Sequence, residues 1–307
     1  MYNSILDAIG NTPLVKLNKI VTPDMADILV KFEAVNVGGS IKTRTAYNMI
    51  VGAELSGFLN KDSIIVEPTS GNQGIGLALI GAVKGYKVVI IMPDSVSAER
   101  RKIITQYGAE VKLIHDDGDI GKCIEKCLEE AKRMEREDPR VYVPGQFDNP
   151  KNPSAQRCGT GAEILSQFTG RIDGFCSGIG TGGTITGVGE VLKLANPEIE
   201  IWALEPENAA ILSGHPIGSH IQMGIGDGVI PGNLNQKIYE HIEIIKDEDA
   251  VATARLLACK EGLLCGISSG TNVFGAMKLA KKLGPGHTVV TVLPDTGERY
   301  ISTELFD

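Results

Sequence analysis

Glu67-Pro68-Thr69-Ser70-Gly71-Asn72-Gln73-Gly74 follows an apolar run at 63–66 and leads into a helical pattern. The segment brings two hydroxyl groups, two amide side chains and the free backbone N–H groups of a helix start to one place. A helix N-terminus furnished in this way binds an anion, most simply a carboxylate or a phosphate. A helix cap would explain one of these polar residues but not all of them. The segment therefore predicts an anion site where a strand ends and a helix begins.

Strand-like and helix-like segments alternate on both sides of this segment. Apolar, β-branched runs predict strands at 28–32, 63–66, 87–92, 110–114, 140–143, 172–177, 198–204 and 288–293. Amphipathic stretches predict helices at 41–55, 73–84, 98–107, 122–136, 161–168, 184–194, 249–261 and 271–283. Such alternation is typical of parallel sheets covered by helices on both faces. Because 307 residues is long for one core, we predict an α/β fold of two lobes, each a largely parallel twisted sheet flanked by helices.

Two other glycine-rich segments precede predicted helices. Gly38-Gly39-Ser40-Ile41-Lys42 places a lysine at a helix N-terminus, where the helix dipole lowers the pKa of the amine. A lowered pKa suits a nucleophile or a Schiff base, although an ordinary lysine in a surface loop would give the same pattern. Gly178-Ile179-Gly180-Thr181-Gly182-Gly183-Thr184 follows the predicted strand at 172–177. This second segment suits phosphate binding through backbone amides and threonine hydroxyls.

The second of these segments also fits a dinucleotide-binding pattern. Gly178, Gly180 and Gly183 satisfy G-x-G-x-x-G, and Glu205 ends the next predicted strand, as in nicotinamide-binding folds. A nicotinamide oxidoreductase is therefore an alternative. It leaves the other two segments unexplained, and the hydroxyls of Thr181 and Thr184 favour one terminal phosphate over a pyrophosphate.

Composition excludes several classes of partner. A net charge of −8 argues against nucleic acid or an anionic membrane as the main partner. The apolar runs are too short to span a bilayer, and the N-terminus lacks the features of an export signal, so a cytoplasmic protein is expected. Cys123 and Cys127 lie four residues apart and are interpreted as small buried apolar residues. The five histidines show no metal-ligand spacing, and no metal site is expected.

Taken together, the motifs resemble the cysteine synthase (O-acetylserine sulfhydrylase) family of pyridoxal-phosphate enzymes, which have the tryptophan-synthase-β-like fold (fold type II). The similarity covers segments 9–14, 68–72, 92–93, 146–147, 149–150, 180–184, 266–270 and 297–300. It implies a smaller N-terminal lobe of residues 38–145 and a larger, phosphate-binding lobe of residues 1–37 and 146–307. Pyridoxal 5'-phosphate would lie in the cleft between them. The resemblance also implies a homodimer, and serine acetyltransferase as a possible partner.

The resemblance assigns roles to individual residues. Lys42 would form the internal aldimine with the cofactor and later move the α-proton. Asn72 would hydrogen-bond the ring oxygen of the cofactor, and Ser268 would meet its pyridine nitrogen. The cofactor phosphate would be held by Gly180, Thr181, Gly182, Gly183 and Thr184, and the substrate carboxylate by Thr69, Ser70, Asn72, Gln73 and Gln146. The cofactor is a weaker electron sink when a neutral hydroxyl, and not a carboxylate, meets its pyridine nitrogen. A weaker sink favours loss of a β-substituent over transamination.

Four residues depart from the family pattern. Thr43 stands where aspartate is usual, Gln73 where threonine is usual and Gln156 where histidine is frequent. The fourth, Asp227, lies between two glycines where relatives commonly carry alanine, in a loop expected to border the β-side of the substrate. One interpretation of Asp227 is a turn residue facing solvent. The other is a carboxylate near the β-carbon of an aminoacrylate intermediate, where it would repel hydrosulfide and deprotonate water as a general base.

The sequence therefore predicts β-elimination or β-replacement on a small L-amino acid through an aminoacrylate intermediate, in sulfur amino acid metabolism. The favoured reaction is L-cysteine and water giving L-serine and hydrogen sulfide, with Asp227 as base. The alternatives are O-acetyl-L-serine and sulfide giving L-cysteine and acetate, and then lanthionine or cystathionine formation. A non-catalytic protein that binds serine acetyltransferase is an alternative of another class, against which Lys42, Asn72 and Ser268 argue.

Overall fold

A computed structural model describes residues 1–118 and 120–307, and its strands form two sheets flanked by helices. The strands are β1 (Leu14–Lys16), β2 (Asp27–Phe32), β3 (Ile64–Pro68), β4 (Lys87–Pro93), β5 (Glu110–Ile114), β6 (Val141–Tyr142), β7 (Gly174–Gly178), β8 (Glu200–Pro206), β9 (His241–Ile245) and β10 (Thr288–Leu293). The helices are α1 (Lys42–Leu55), α2 (Asn72–Lys84), α3 (Ala98–Gln106), α4 (Ile120–Glu137), α5 (Lys151–Ala155), α6 (Ala162–Gln167), α7 (Gly183–Ala195), α8 (Asp247–Leu256) and α9 (Ile267–Leu283). The predicted α/β class is confirmed.

The smaller sheet has the strand order β5-β4-β3-β6, and all its pairings are parallel. Its central strands are buried on both faces because their side chains alternate between two apolar clusters. Ile65 and Ile90 pack with residues of α1, α2 and α3, whereas Val66 and Val89 pack against α4. Buried Cys127 belongs to the second cluster.

The larger sheet has the strand order β1-β2-β10-β7-β8-β9 and is parallel except for the β1–β2 pair. Strand β2 comes early in the chain but pairs over its whole length with β10, from Asp27 opposite Thr288 to Phe32 opposite Leu293. Residues of α8 and α9 cover one face of this sheet, and residues of α7 cover the other. The division into lobes of residues 38–145 and of 1–37 with 146–307 stays a prediction.

Several elements differ from the sequence-based expectation. Strands β1 and β9 are additional, and residues 151–167 form a continuous helical stretch in which Gln156–Gly161 is π-helical. Helix α9 begins at Ile267, four residues before the predicted start at 271, so Ser268 lies in its first turn. No helix in the described part of the chain is long and apolar enough to cross a membrane.

Four charged side chains form a buried network between the start of the chain, α1 and α6. The guanidinium of Arg44 pairs with Glu33 at 2.8 Å and with Glu163 at 2.6 Å. The ammonium of Lys31, which is fully buried, pairs with Glu163 at 2.7 Å. Removing buried charges from water is costly, so each of these groups depends on its partners.

Candidate active site

Lys42 is the first residue of α1 and lines two adjoining cavities. Within the described residues, its ammonium has no hydrogen bond or ion pair. Burial lowers the pKa of this amine, and the carboxylates of Asp227 and Asp295 partly oppose the shift. An amine with a lowered pKa and no partner is suited to nucleophilic attack on a carbonyl group.

Asn72 is the first residue of α2, and its side chain is held in a fixed orientation. Asn72 donates a hydrogen bond from Nδ2 to Asp295 Oδ2 at 2.7 Å, and its Oδ1 accepts one from the Arg299 guanidinium. Tyr300 donates from its hydroxyl to the same oxygen of Asp295 at 2.8 Å. Asn72 is therefore oriented by one acidic and one basic side chain from the segment that follows β10. Sequence reasoning assigned no role to either of them, although Arg299 falls in the matching segment 297–300.

Thr69 and Ser70 lie between β3 and α2 and are partly exposed to the cavity that contains Lys42. Thr69 Oγ1 accepts a hydrogen bond from the backbone N–H of Gly71 at 3.2 Å, which shapes the turn into α2. Gly71 has φ of 152° and packs against the side chain of Arg100, leaving no room for a β-carbon. The backbone N–H groups at the start of α2 are suited to an anion, and the anion site stays a prediction.

The two predicted glutamine ligands differ in how their side chains are engaged. Gln73 is buried, and its amide accepts from Thr45 Oγ1 at 2.8 Å and contacts the sulfur of Met49. Gln146 donates from Nε2 to the carbonyl of Pro68 at 3.4 Å. Both residues line the cavity, but the amide of Gln73 is engaged with α1.

A glycine-rich turn joins β7 to α7 and forms one wall of a cavity of about 470 Å³. A β-carbon at Gly183 would overlap the side chain of Asn152, and one at Gly180 would lie 2.5 Å from the carbonyl oxygen of Gly224. Thr181 accepts a hydrogen bond from Asn152 Nδ2 at 2.8 Å. The cavity is lined by Gly180, Thr181, Gly182, Gly183 and Thr184 together with Lys42, Asn72 and Ser268. Backbone N–H groups at the start of α7 suit a phosphate.

The adjoining space, which we call the reaction cavity, has a volume of about 640 Å³. It is lined by Lys42, Thr69, Ser70, Asn72, Gln73, Gln146 and Asp227, among others. Burial raises the pKa of the Asp227 carboxyl, while the nearby Lys42 and His220 lower it. A β-carbon on Gly180 would lie 3.3 Å from Asp227 Oδ2, so the carboxylate lies against the glycine-rich turn between β7 and α7.

His220 supports the loop that carries Asp227. Its Nδ1 accepts from the backbone N–H of Gln222 at 3.2 Å, so its Nε2 carries the proton donated to the carbonyl of Gly226 at 3.1 Å. Gly226 has φ of 67° and packs against Pro206, which excludes a side chain there. Sequence reasoning did not single out His220, because its partners lie in an irregular loop.

Glu205, the acid expected in a dinucleotide fold, is engaged elsewhere. Its carboxylate accepts from the backbone N–H of Leu212 at 2.8 Å and from the N–H and hydroxyl of Ser213 at 3.1 and 2.9 Å. The carboxylate therefore holds the loop after β8 instead of presenting an acceptor to a ribose.

Residues 5–295 match the family model described as "Pyridoxal-phosphate dependent enzyme", and the chain belongs to this family. Within it, the chain is a pyridoxal-phosphate-dependent enzyme of the cysteine synthase type. It is 47% identical to the cysteine synthase of Staphylococcus aureus (strain N315) over 305 residues, covering 99% of this chain and 97% of that protein.

Two solved structures share the fold throughout. A hydrogen sulfide-producing enzyme from Fusobacterium nucleatum is 40% identical, with a TM-score of 0.92 and coverage of 98% of this chain and 100% of that one. An aspartate-to-asparagine mutant of another hydrogen sulfide-producing enzyme, in complex with an α-aminoacrylate intermediate, is 36% identical. Its TM-score is 0.91, with coverage of 98% of this chain and 90% of that one.

The residues of this chain fit pyridoxal phosphate. One end of the cavity beside α7 presents backbone N–H groups and threonine hydroxyls to an anion, and close packing there excludes any side chain larger than glycine at Gly180 and Gly183. The amine of Lys42 and the hydroxyl of buried Ser268 line the same cavity. This donor set matches a phosphate, an aldehyde and a ring nitrogen in one ligand.

Proposed function

We propose that this enzyme converts L-cysteine and water into L-serine and hydrogen sulfide, with Asp227 as the general base. The observation that carries the proposal is the position of the Asp227 carboxylate in the wall of the reaction cavity, with its pKa raised by burial. A carboxylate with a raised pKa is a stronger base than an exposed one, and it can take a proton from water at the β-carbon of the substrate. It also repels hydrosulfide, since both are anions in a poorly solvated space.

The remaining groups hold the substrate and move its α-proton. Pyridoxal phosphate, when bound, supplies the electron sink that labilises the α-proton and the β-substituent. Lys42 takes the proton from the α-carbon and returns it, because its lowered pKa leaves the amine able to accept one. The hydroxyls of Thr69 and Ser70 and the N–H groups at the start of α2 bind the substrate carboxylate.

Cysteine synthesis from O-acetyl-L-serine and sulfide is the second candidate. It is favoured by the similarity to the Staphylococcus aureus cysteine synthase. Lanthionine or cystathionine formation is the third. The homodimer and the serine acetyltransferase partner stay predictions.

The test is an incubation of the purified yellow enzyme with L-cysteine alone, with sulfide, serine, pyruvate and lanthionine assayed together. We expect sulfide and serine in equal amounts. Asp227→Asn should lower the rate of serine formation about 100-fold, the size of a general-base contribution. It should leave the rapid absorbance change on mixing with cysteine intact, in keeping with the intermediate held by the aspartate-to-asparagine mutant of the relative.

The control is Asp62→Asn, which removes an exposed carboxylate outside the cavity and should leave both rates unchanged. Equal loss of the absorbance change and of serine formation in Asp227→Asn would contradict the assignment of Asp227 as base. Negligible sulfide from cysteine, with fast cysteine synthesis from O-acetyl-L-serine and sulfide, would favour the second candidate instead.

A further inference from the structure

Asn152, the second residue of α5, carries a buried amide that contacts both cavities of the active site through its neighbours. It is 1% exposed, and its Nδ2 donates to the backbone carbonyl of Gln146 at 2.7 Å and to Thr181 Oγ1 at 2.8 Å. Gln146 lines the reaction cavity, whereas Thr181 lines that cavity and the one beside the glycine-rich turn. One amide therefore connects the wall where the substrate is expected to the turn where a phosphate is expected.

The carbonyl of Gln146 fixes which way this amide faces. A carbonyl oxygen can only accept hydrogen bonds, so it must meet Nδ2 of Asn152 and not Oδ1. Oδ1 has no hydrogen-bond donor among the described residues and packs against Gly183, where a β-carbon would lie 2.0 Å from it. A buried acceptor without a donor is costly. The amide is thus held in this orientation by the two bonds of Nδ2, although Oδ1 is left unsatisfied.

The bond from Asn152 also determines the role of the Thr181 hydroxyl. A threonine hydroxyl has one proton to donate, while its oxygen accepts. Because Oγ1 of Thr181 accepts from Nδ2, its proton faces away from Asn152, and the described part of the chain offers that proton no acceptor. Thr181 is 4% exposed, and it lines the cavity beside the glycine-rich turn. Its proton is therefore available to an anionic oxygen of a ligand, which is a strong acceptor.

We propose that Asn152 is a positioning residue for the cofactor phosphate and that it acts through Thr181. Since the Thr181 hydroxyl accepts from Asn152, it meets the phosphate as a donor whose direction is set before the cofactor binds. A group that is oriented in advance loses less rotational freedom on binding, and the affinity for the phosphate rises accordingly. The inference rests on the predicted phosphate site and not on the reaction proposed above.

Asn233 provides a matched control within the same network. Its Nδ2 donates to the same carbonyl of Gln146 at 2.8 Å, and it is also buried, at 8% exposed. No hydrogen bond joins its side chain to Thr181 in the described structure. Replacing either asparagine by alanine removes one bond to Gln146, but only the change at Asn152 releases the Thr181 hydroxyl.

The experiment compares pyridoxal phosphate with pyridoxal, which lacks the phosphate, on the full-length enzyme freed of its cofactor. Both ligands carry the aldehyde expected at Lys42, so the ratio of their dissociation constants isolates the contribution of the phosphate. Absorbance titration measures both constants. We expect Asn152→Ala to reduce the preference for pyridoxal phosphate about 10-fold, the size of a charge-assisted hydrogen bond. Asn233→Ala should keep the preference of the wild type.

A double-mutant cycle tests whether Asn152 acts through Thr181. Thr181→Val removes the hydroxyl and keeps the shape of the side chain, so it should reduce the preference by a similar factor. In the Thr181→Val background, Asn152→Ala should reduce it no further, because no hydroxyl is left to orient.

An Asn152→Ala enzyme that loses affinity equally for both ligands would overturn the proposal, because a purely structural role predicts that result. Additive effects of Asn152→Ala and Thr181→Val would overturn it as well. So would a Thr181→Val enzyme with the preference of the wild type, and this variant leaves the buried amide in place if Asn152→Ala does not fold. No amino acid is present in these titrations, so failure of the Asp227 proposal would leave their outcome unchanged.

Discussion

At the residue scale, Glu67 is a buried acid that joins the smaller sheet to the segment carrying Gln146. Its two carboxylate oxygens accept the backbone N–H groups of Gly145 and Gln146, each at 2.9 Å. Burial raises the pKa of this carboxyl to about 7, against a usual value of 4.5, although the two hydrogen bonds lower it. The protonation of Glu67 is therefore coupled to the backbone position of Gln146, which lines the reaction cavity.

Stability should fall with rising pH because of Glu67. Between pH 4.5 and about 7, the folded protein retains a proton that the unfolded chain has lost. The free energy of unfolding therefore decreases across this window, on the order of 3 kcal/mol in all. Urea unfolding of the wild type and of Glu67→Gln at pH 5 to 8 measures the slope, which should be shallower in the variant. Glu129→Gln, on the exposed side of α4, is the control and should reproduce the slope of the wild type.

Single residues show how far the sequence predicts the site. The structure places the glycine-rich turn, Lys42, Asn72 and Ser268 around one cavity, and their roles stay predictions. The first three are indicated by the sequence because they precede predicted helices, and Ser268 is indicated by the family resemblance alone. The partners of Asn72 are not indicated, since Asp295 lies 223 residues away and only the pairing of the two segments brings it near. The amide of Gln73, expected at the substrate, is engaged with Thr45 because α1 and α2 pack closely there.

At the scale of elements, the contact between α8 and α9 positions Ser268. Gly270 lies in the first turn of α9, and a β-carbon there would overlap the carbonyl oxygen of Ala250 in α8. The two helices therefore approach backbone to backbone at the turn that carries Ser268.

Gly270→Ala should destabilise the protein by roughly 2–3 kcal/mol, because a backbone carbonyl cannot move aside without shifting a helix. It should also weaken cofactor binding by displacing Ser268. The matched control is Gly52→Ala in α1, where the added methyl group meets only the flexible side chain of Lys151. That substitution should be neutral or stabilising, since alanine favours the helix. Thermal unfolding and titration with pyridoxal phosphate measure both effects, and similar behaviour of the two variants would contradict the packing explanation.

The start of α9 also shows why some elements escape sequence analysis. Ile267-Ser268-Ser269-Gly270 contains poor helix formers, so local propensity predicts a loop, and burial against α8 and the sheet overrides it. Strand β9 lies at the edge of the larger sheet and is only partly buried, so its apolar pattern is weak. The central strands are predicted correctly because burial on both faces leaves continuous apolar runs.

At the scale of the whole molecule, a buried network links three residues near the start of the chain to α6. It consists of Lys31, Glu33, Arg44 and Glu163. Arg44→Met should lower the free energy of unfolding by about 3–5 kcal/mol, because two buried carboxylates lose their main partner. Lys16→Met, which breaks an exposed pair with Asp27, should cost under about 1 kcal/mol. Chemical denaturation measures the free energy of unfolding of both variants. An equally small decrease in the two would contradict the prediction and show that Glu163 and Glu33 find other partners.

The pairing of β2 with β10 also governs the order in which the chain can fold during synthesis. The strands of the smaller sheet end at Tyr142, so that sheet can assemble while the rest of the chain is still being translated. Strand β2 is made before them, yet its parallel neighbour is completed only at Leu293. At the usual pace of protein synthesis, about 5–20 residues per second, β2 waits roughly ten seconds or more beside an incomplete sheet. Its apolar side chains are exposed to chaperones for that interval, and a stop codon shortly before β10 would leave them exposed permanently.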